Sequence, residues 1–342
     1  MAKIAVIGSG AWGTTLARLV VMAPQNVAAG VRVTLWEHRA ERAAEMERAR
    51  ENRAFLPGFT LPDSLRVTAD LADTLAGAEI VLMVTPAQRM REQARLVAPL
   101  LTAGALVISA TKGLEVGSHL RMTQLLAQEL PSHTIVAAIS GPNLAAEVAR
   151  GLPTGSVVAC ADHDAAVRAR TALSGPTFRV YSSDDLVGVE LGGALKNIIA
   201  LGVGISDGLG YGDNAKATFM TRGLAEMSRL ALAAGANPLT LAGLAGLGDL
   251  IATCASPLSR NRTLGLELAA GKSLEEALAG RKTVTEGVAT TRAALELAAN
   301  VGVELPITEQ IARVLFEGKP VREAVSSLME RDPKRELHGL EE

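Results

Sequence analysis

Gly8-Ser-Gly10-Ala-Trp-Gly13 stands between a short β run, Ile4 to Ile7, and a stretch of helical spacing from Ala11 to about Met22. A G-x-G-x-x-G turn between a strand and a helix constrains the fold more than any other feature of this chain. Gly8 permits a tight turn, Gly10 lets the backbone approach a ligand closely, and Gly13 lets the helix lie against the strand. The first amides of the helix then face whatever anion sits over the turn.

The pattern that follows fits a parallel sheet. Val31-Arg-Val-Thr-Leu-Trp36 is a second β run, and further ones are Arg66 to Thr68, Glu79 to Val84, Ala105 to Ser109, Thr134 to Ser140, Thr154 to Ala159 and Phe178 to Tyr181. Charged segments of helical spacing, such as Ala40 to Asn52 and Gln88 to Leu96, lie between many of them. That alternation predicts an α/β fold with a mostly parallel, doubly wound sheet. After about Asp185 the β-branched clusters thin out. Leu191 to Ile205, Thr218 to Ala234, Leu264 to Ala270, Leu274 to Leu278, Val288 to Asn300 and Thr308 to Phe316 all have helical spacing. The chain therefore reads as a dinucleotide-binding domain over 1–185 and an all-helical domain over 186–342. Ser182-Ser-Asp-Asp185 offers a helix cap at the boundary.

Length agrees with this division, because 342 residues exceed what one core usually supports. Hydrophobic residues make up 48%, charged residues 20%, and the formal net charge is -2, which describes a globular protein and argues against a nucleic-acid binder. Cys160 and Cys254 form no CxxC pair, and His38, His119, His133, His163 and His338 show no zinc spacing, so no metal is expected. The N-terminus lacks a signal-peptide pattern. Leu230 to Gly248 is uncharged but broken by Asn237, Pro238 and glycines, so membrane insertion is not expected and the predicted location is cytoplasmic. The charged tail from Glu330 to Glu342 reads as a frayed, solvated end.

An acid that receives the adenosine ribose is expected about 20 residues beyond the glycines, at the end of the second strand. Glu37 is there, displaced later in sequence by an extended loop, Ala23 to Gly30. His38, Arg39 and Arg42 come next, and arginines at this place can hold a 2′-phosphate or simply begin a solvated helix. NAD and NADP both remain open.

Residues just beyond strand ends line the ligand crevice of such sheets. Val84-Thr-Pro86, Ser109-Ala-Thr-Lys112-Gly113 and Ser140-Gly-Pro-Asn143 lie there; Lys112 either supplies a cation at the mouth of the sheet or is a plain surface lysine, and Gly141 leaves room for a substrate. In the helical half, Lys196 is the only charged side chain between Glu190 and Asp207. It either snorkels to the surface or works as a buried ammonium, which must be paired to offset several kcal/mol of lost hydration. Gly246-Leu-Gly-Asp249-Leu offers the lone carboxylate that such a lysine needs. Burial would lower the lysine pKa and that carboxylate would oppose the change. Ser259-Arg260-Asn261 reads as an anion cradle or as a helix cap followed by an arginine, and Val284-Thr-Glu286-Gly287 carries the weakest signal.

In their order along the chain, the glycine fingerprint, Ala110-Thr-Lys112-Gly-Leu-Glu115, Ser140-Gly-Pro-Asn143, Leu191-Gly-Gly-Ala-Leu-Lys196-Asn197, Leu247-Gly-Asp249-Leu, Ser259-Arg-Asn261 and Val284-Thr-Glu-Gly287 resemble the bacterial-type NAD(P)-dependent glycerol-3-phosphate dehydrogenases. The resemblance runs from about Lys3 to Gly318. It implies a Rossmann domain followed by a helical domain of the 6-phosphogluconate dehydrogenase type, with NAD or NADP as cofactor. The implied reaction is reversible reduction of dihydroxyacetone phosphate to sn-glycerol 3-phosphate, a phospholipid backbone. By the same resemblance Lys196 is the acid–base catalyst, and Lys112, Gly141, Asn143, Asp249, Ser259, Arg260 and Asn261 contact substrate. The cofactor lies along Gly8, Gly10, Ala11, Trp12, Gly13, His38, Arg39, Lys112, Ala145, Arg260, Val284 and Glu286. A homodimer is the expected assembly. Asn143 departs from the family's usual threonine or serine, and the Ala23 to Gly30 loop is longer than the family pattern. The rival readings are another β-hydroxyacid or ketoacid reductase of this architecture, which would not need the Ser-Arg-Asn cradle, and a non-catalytic dinucleotide-binding redox sensor, which would not need Lys196 beside Asp249.

Overall fold

In the computed structural model, residues 2–281, 283–333 and 335–336 are described. Among these described residues ten strands form, β1 (Lys3–Ile7), β2 (Arg32–Trp36), β3 (Glu51–Asn52), β4 (Leu56–Thr60), β5 (Leu65–Thr68), β6 (Ile80–Met83), β7 (Leu106–Ser109), β8 (Ile135–Ser140), β9 (Thr154–Ala159) and β10 (Phe178–Ser183). Eight of them make one sheet in the order β10-β9-β8-β7-β6-β1-β2-β5. Every pairing in it is parallel except β8 with β9. The apolar runs of β1, β6 and β7 are buried at every position, as a parallel sheet covered on both faces requires. Strand order reverses around β1, which puts a switch point, where such sheets bind ligands, beside β1 and β6.

Three features of this unit depart from the sequence reading. The helix expected over Ala40 to Asn52 ends at Ala49; Arg50 turns left-handed at φ 49°, and Glu51–Asn52 then pairs with β4. That pairing is short and irregular, and Pro57 and Gly58 hide it from a period-2 search. The expected loop from Ala23 to Gly30 contains the helix Pro24–Ala28, held by Asn26, which donates to Val20 O at 2.8 Å and Ala172 O at 2.9 Å.

The chain divides into two compact units, Met1–Thr111 with Met122–Leu186, and Lys112–Arg121 with Val187–Glu342. A single cut at 185 does not foresee that Lys112–Arg121 leaves the sheet unit and returns. Within the second unit this segment is anchored by the buried Leu114 and by Arg121, which donates to Glu190 at 2.5 Å.

The second unit is helical, with no strand among its described residues. Its centre is the helix Leu186–Gly208, buried from Gly188 to Ser206. Six glycines in 23 residues make it a poor helix by propensity, so packing must hold it. It is long and apolar enough to span a membrane, but 89% of the relevant window is buried inside the unit. Around it lie Gly212–Ala233, Arg260–Ala269, Glu286–Val301 and Pro306–Glu317. Val321–Met329 adds a helix beyond the last one expected, just before the charged tail, of which residues 334 and 337–342, His338 among them, lie outside the described residues. Cys160 and Cys254 are buried and unpaired.

Candidate active site

In the sheet unit the glycine turn has the stereochemistry its sequence demands. A Cβ on Gly13 would lie 1.9 Å from Gly8 O, and one on Gly8, itself at φ +115°, would lie 2.5 Å from Val84 O. Gly10, by contrast, has open space on its Cβ side and caps the helix Ala11–Met22 with no side-chain hydrogen bond. A pyrophosphate fits there, against open backbone and first-turn amides that no side chain caps. Ala11 and Trp12 occupy that first turn, and the Trp12 ring leans on Phe178 with centroids 6.3 Å apart. Asn52, which the sequence did not single out, clamps the turn by donating to Ser9 O at 2.7 Å and Thr14 Oγ1 at 2.8 Å.

At the end of β2, Glu37 is 1% exposed, and both of its carboxylate oxygens are engaged. Oε2 accepts from Ser9 Oγ and pairs with Arg42 at 2.6 Å; Oε1 accepts from Arg39 N at 3.0 Å and lies 3.1 Å from His38 Nδ1. Glu37 is therefore not an open ribose acceptor, and Arg42 is not the solvated arginine of a helix start. The His38 and Arg39 side chains are exposed.

At the other strand ends, Gly141 sits at φ +147°, and a Cβ there would be 2.9 Å from Ser156 Cα. Asn143 Nδ2 donates to Ser156 Oγ at 3.1 Å, while Asn143 Oδ1 and Ser140 Oγ are buried without a partner among the described residues. Such groups are costly unless a ligand or water meets them. Ala145 begins the helix Ala145–Ala149, and its carbonyl accepts from Thr15 at 3.2 Å.

In the helical unit, Gly192 explains how a carboxylate reaches the buried lysine. Its missing Cβ would lie 2.7 Å from Ala245 O, so the π-helical turn Leu244–Gly248 lies directly against the helix backbone. Lys196 is one turn further along the same face. Asp249 opens the next helix, Asp249–Ala255, and its Oδ1 accepts from Lys196 Nζ at 2.5 Å. Asp249 Oδ2 accepts from Lys112 Nζ at 2.6 Å, so one buried carboxylate holds two ammoniums. Thr253, one helical turn after Asp249, accepts from Lys196 at 2.5 Å and lies 3.3 Å from Asp249 Oδ1. Lys196 is 6% exposed, so it does not snorkel. Burial pushes its ammonium down; Asp249 opposes this, Lys112 reinforces it, and the pKa falls to about 8.

Ser259 caps the helix Arg260–Ala269 by accepting from Arg262 N at 3.3 Å, yet keeps its own hydroxyl proton for another acceptor. Arg260 reaches Val284 O at 2.6 Å. Asn261 donates to Asn197 Oδ1 at 2.8 Å and accepts from Gly287 N at 3.0 Å, retaining one amide N–H. The tripeptide thus caps a helix and still carries donors for an anion. Val284 precedes, and Glu286 begins, the helix Glu286–Val301. Thr253 and Asn197 are the polar residues that sequence reasoning missed here. The i,i+4 spacing of Thr253 from Asp249 and the presence of Asn197 in the lysine's apolar run were the available signals.

Comparison with known proteins covers both units of the chain. Residues 3–166 match the family model for the N-terminus of NAD-dependent glycerol-3-phosphate dehydrogenase, and residues 185–326 match that for its C-terminus. The chain belongs to this dehydrogenase family. A glycerol-3-phosphate dehydrogenase [NAD(P)+] from Thermobifida fusca is 48% identical over 99% of this chain and 100% of its own length. The corresponding protein of Geobacter metallireducens is 48% identical over 98% of each. The crystal structure of glycerol-3-phosphate dehydrogenase from Coxiella burnetii superposes with a TM-score of 0.90 at 39% identity, covering 96% of this chain and 99% of that one. The dehydrogenase therefore interconverts dihydroxyacetone phosphate and glycerol 3-phosphate with NAD(P). A ketopantoate reductase from Ralstonia eutropha shares only the fold, with a TM-score of 0.56 at 16% identity.

Proposed function

We propose that Lys196 is the acid–base catalyst of this dehydrogenase, held by Asp249, and that Ser259, Arg260 and Asn261 bind the substrate phosphate. The observation that carries this is the Lys196 ammonium, buried and 2.5 Å from Asp249 Oδ1, with its pKa lowered to about 8. The reduced dinucleotide, when bound, supplies the hydride for the C2 carbonyl. Lys196 stabilises the negative charge that develops on the carbonyl oxygen and then protonates it; in the oxidative direction the neutral amine takes the hydroxyl proton. Asp249 keeps the amine in place, and Lys112 adds a second cation to the same carboxylate. Gly141 and Asn143 complete the substrate contacts.

The sheet unit, residues 1–111 and 122–186, is the dinucleotide domain, with Gly8, Gly10, Ala11, Trp12, Gly13, His38, Arg39 and Ala145 along the cofactor. The helical unit, residues 187–342 with 112–121, is the catalytic domain and contributes Lys112, Arg260, Val284 and Glu286 to the cofactor. The product feeds glycerophospholipid synthesis, the enzyme works in the cytoplasm as a homodimer, and it does not insert into a membrane.

The test is oxidation of NADPH, followed by absorbance, with dihydroxyacetone phosphate against unphosphorylated dihydroxyacetone. The phosphorylated ketone should be strongly preferred, and Arg260→Gln should raise its KM about 10- to 100-fold, the scale of a lost charge-assisted hydrogen bond. An unchanged KM refutes the phosphate assignment.

A further inference from the structure

We infer that Ser9, Glu37 and Arg42 form a lock at the end of β2 that sets the balance between NADH and NADPH, with Arg42 as the specificity-determining residue. This rests on the assignment of the dinucleotide to the glycine turn. In sheets of this kind an acid at the end of the second strand receives the ribose hydroxyl, and an arginine nearby accommodates a 2′-phosphate. A free carboxylate there binds NADH and repels the phosphate of NADPH.

Glu37 occupies the position of that acid without its freedom. Ser9 Oγ and the Arg42 guanidinium take one oxygen, the latter at 2.6 Å; Arg39 N and His38 Nδ1 face the other at 3.0 and 3.1 Å. With two donors on Oε2, an amide and an imidazole nitrogen at Oε1, and only 1% exposure, this carboxylate leaves no accessible pair of acceptor sites for a diol, and the guanidinium offsets its charge. Arg42 is itself fixed: its side chain is 18% exposed, it stacks over Phe55 at 4.4 Å from the ring centroid, and it donates to Ser9 Oγ at 3.0 Å. Because Ser9 lies inside the glycine turn, the lock joins the phosphate-binding loop to the ribose end. Next to it the Arg39 side chain is exposed, with no hydrogen-bond or ion-pair partner among the described residues, and supplies a cation for a 2′-phosphate.

The lock therefore silences the acid that would otherwise exclude NADPH. Arg42→Gln restores an unneutralised carboxylate at the ribose end; Glu37→Gln in the same chain removes it again. Full reversal by the second substitution assigns the loss to the uncovered carboxylate, whereas direct contact between Arg42 and the phosphate would leave a remainder that the double variant keeps.

The experiment is calorimetric titration of the full chain with NADPH and with NADH, in the absence of substrate, for the unaltered protein, Arg42→Gln, Glu37→Gln and the double variant. The ratio of Kd for NADPH to Kd for NADH should rise about 10- to 100-fold in Arg42→Gln, the scale of one like-charge contact near a protein surface. It should return toward its starting value in the double variant. An unchanged ratio in Arg42→Gln, or a shift that persists in the double variant, overturns the inference and leaves the dinucleotide assignment standing. An unaltered chain that binds neither dinucleotide overturns both. Where Arg42→Gln does not fold, Glu37→Gln alone decides: Arg42 keeps Phe55 and Ser9, a silenced carboxylate has no repulsion to lose, and the ratio should stay near that of the unaltered protein, whereas a shift of about tenfold or more toward NADPH refutes the lock.

Discussion

The pKa of Lys196 fixes where the two directions of the reaction gain and lose rate. An ordinary lysine, at 10.5, would be proton-free in about one molecule in 3,000 at pH 7; with the pKa lowered to about 8 the fraction is about one in ten. That gain of roughly 300-fold in competent base corresponds to about 3 kcal/mol, and burial is its first cause. The assay is kcat/KM against pH in both directions, from neutral to strongly alkaline solution. Reduction, which needs the ammonium, should fall tenfold per unit above about pH 8, and oxidation, which needs the amine, should rise to about the same pH and level off. Two substitutions should move the shared limb in opposite senses. Asp249→Asn removes the group that raises the pKa and should shift the limb to lower pH; Lys112→Met removes a cation that lowers it and should shift the limb upward. A limb near 10, or one that both variants move the same way, would refute the assignment of the titrating group.

Lys196→Met should lower kcat about 10²- to 10⁴-fold while dinucleotide binding persists; normal turnover would disprove the catalytic role. The same variant should melt no lower than the parent near neutral pH. A folded pKa below the unfolded one means that folding disfavours the bound proton, a cost present below about pH 8 and lost as pH rises through 10.5, and Asp249 keeps Lys112 as a partner in the variant. Gly192→Ala should lower the melting temperature despite the better helix propensity of alanine, because the new methyl meets Ala245 O at 2.7 Å; a higher melting temperature would show that the turn does not lie tight against the helix.

The parts of this molecule that depend on local pattern were legible in its sequence. Each β run of the main sheet except Phe178–Ser183, which has Val180 alone, lies where β-branched residues cluster, and each glycine of the turn has the environment its position implied. Asp249 could be named as a partner for Lys196 because a lone carboxylate and a lone ammonium in apolar runs must find each other. What escaped depends on contacts between residues remote in sequence. The pairing of β3 with β4 has too few residues to show a period, and Asn52 acquires its role only when that pairing brings it to Ser9. Glu37 could be placed at the strand end, but its engagement by Arg42 depends on how the next helix rises from the strand. Lys112 was expected at the mouth of the sheet, and nothing in its neighbours revealed that its segment packs with the helices.

The excursion of Lys112–Arg121 means that the two units cannot be separated by cutting the chain once. A fragment ending near residue 185 would carry Leu114 away from the core that covers it and leave Lys112 and Arg121 without Asp249 and Glu190. The complementary fragment would retain the buried Asp249 with one counter-ion where the whole protein supplies two. Assembly of the lysine–aspartate centre therefore waits until a loop made early in synthesis meets helices made late, and neither of these fragments can complete it.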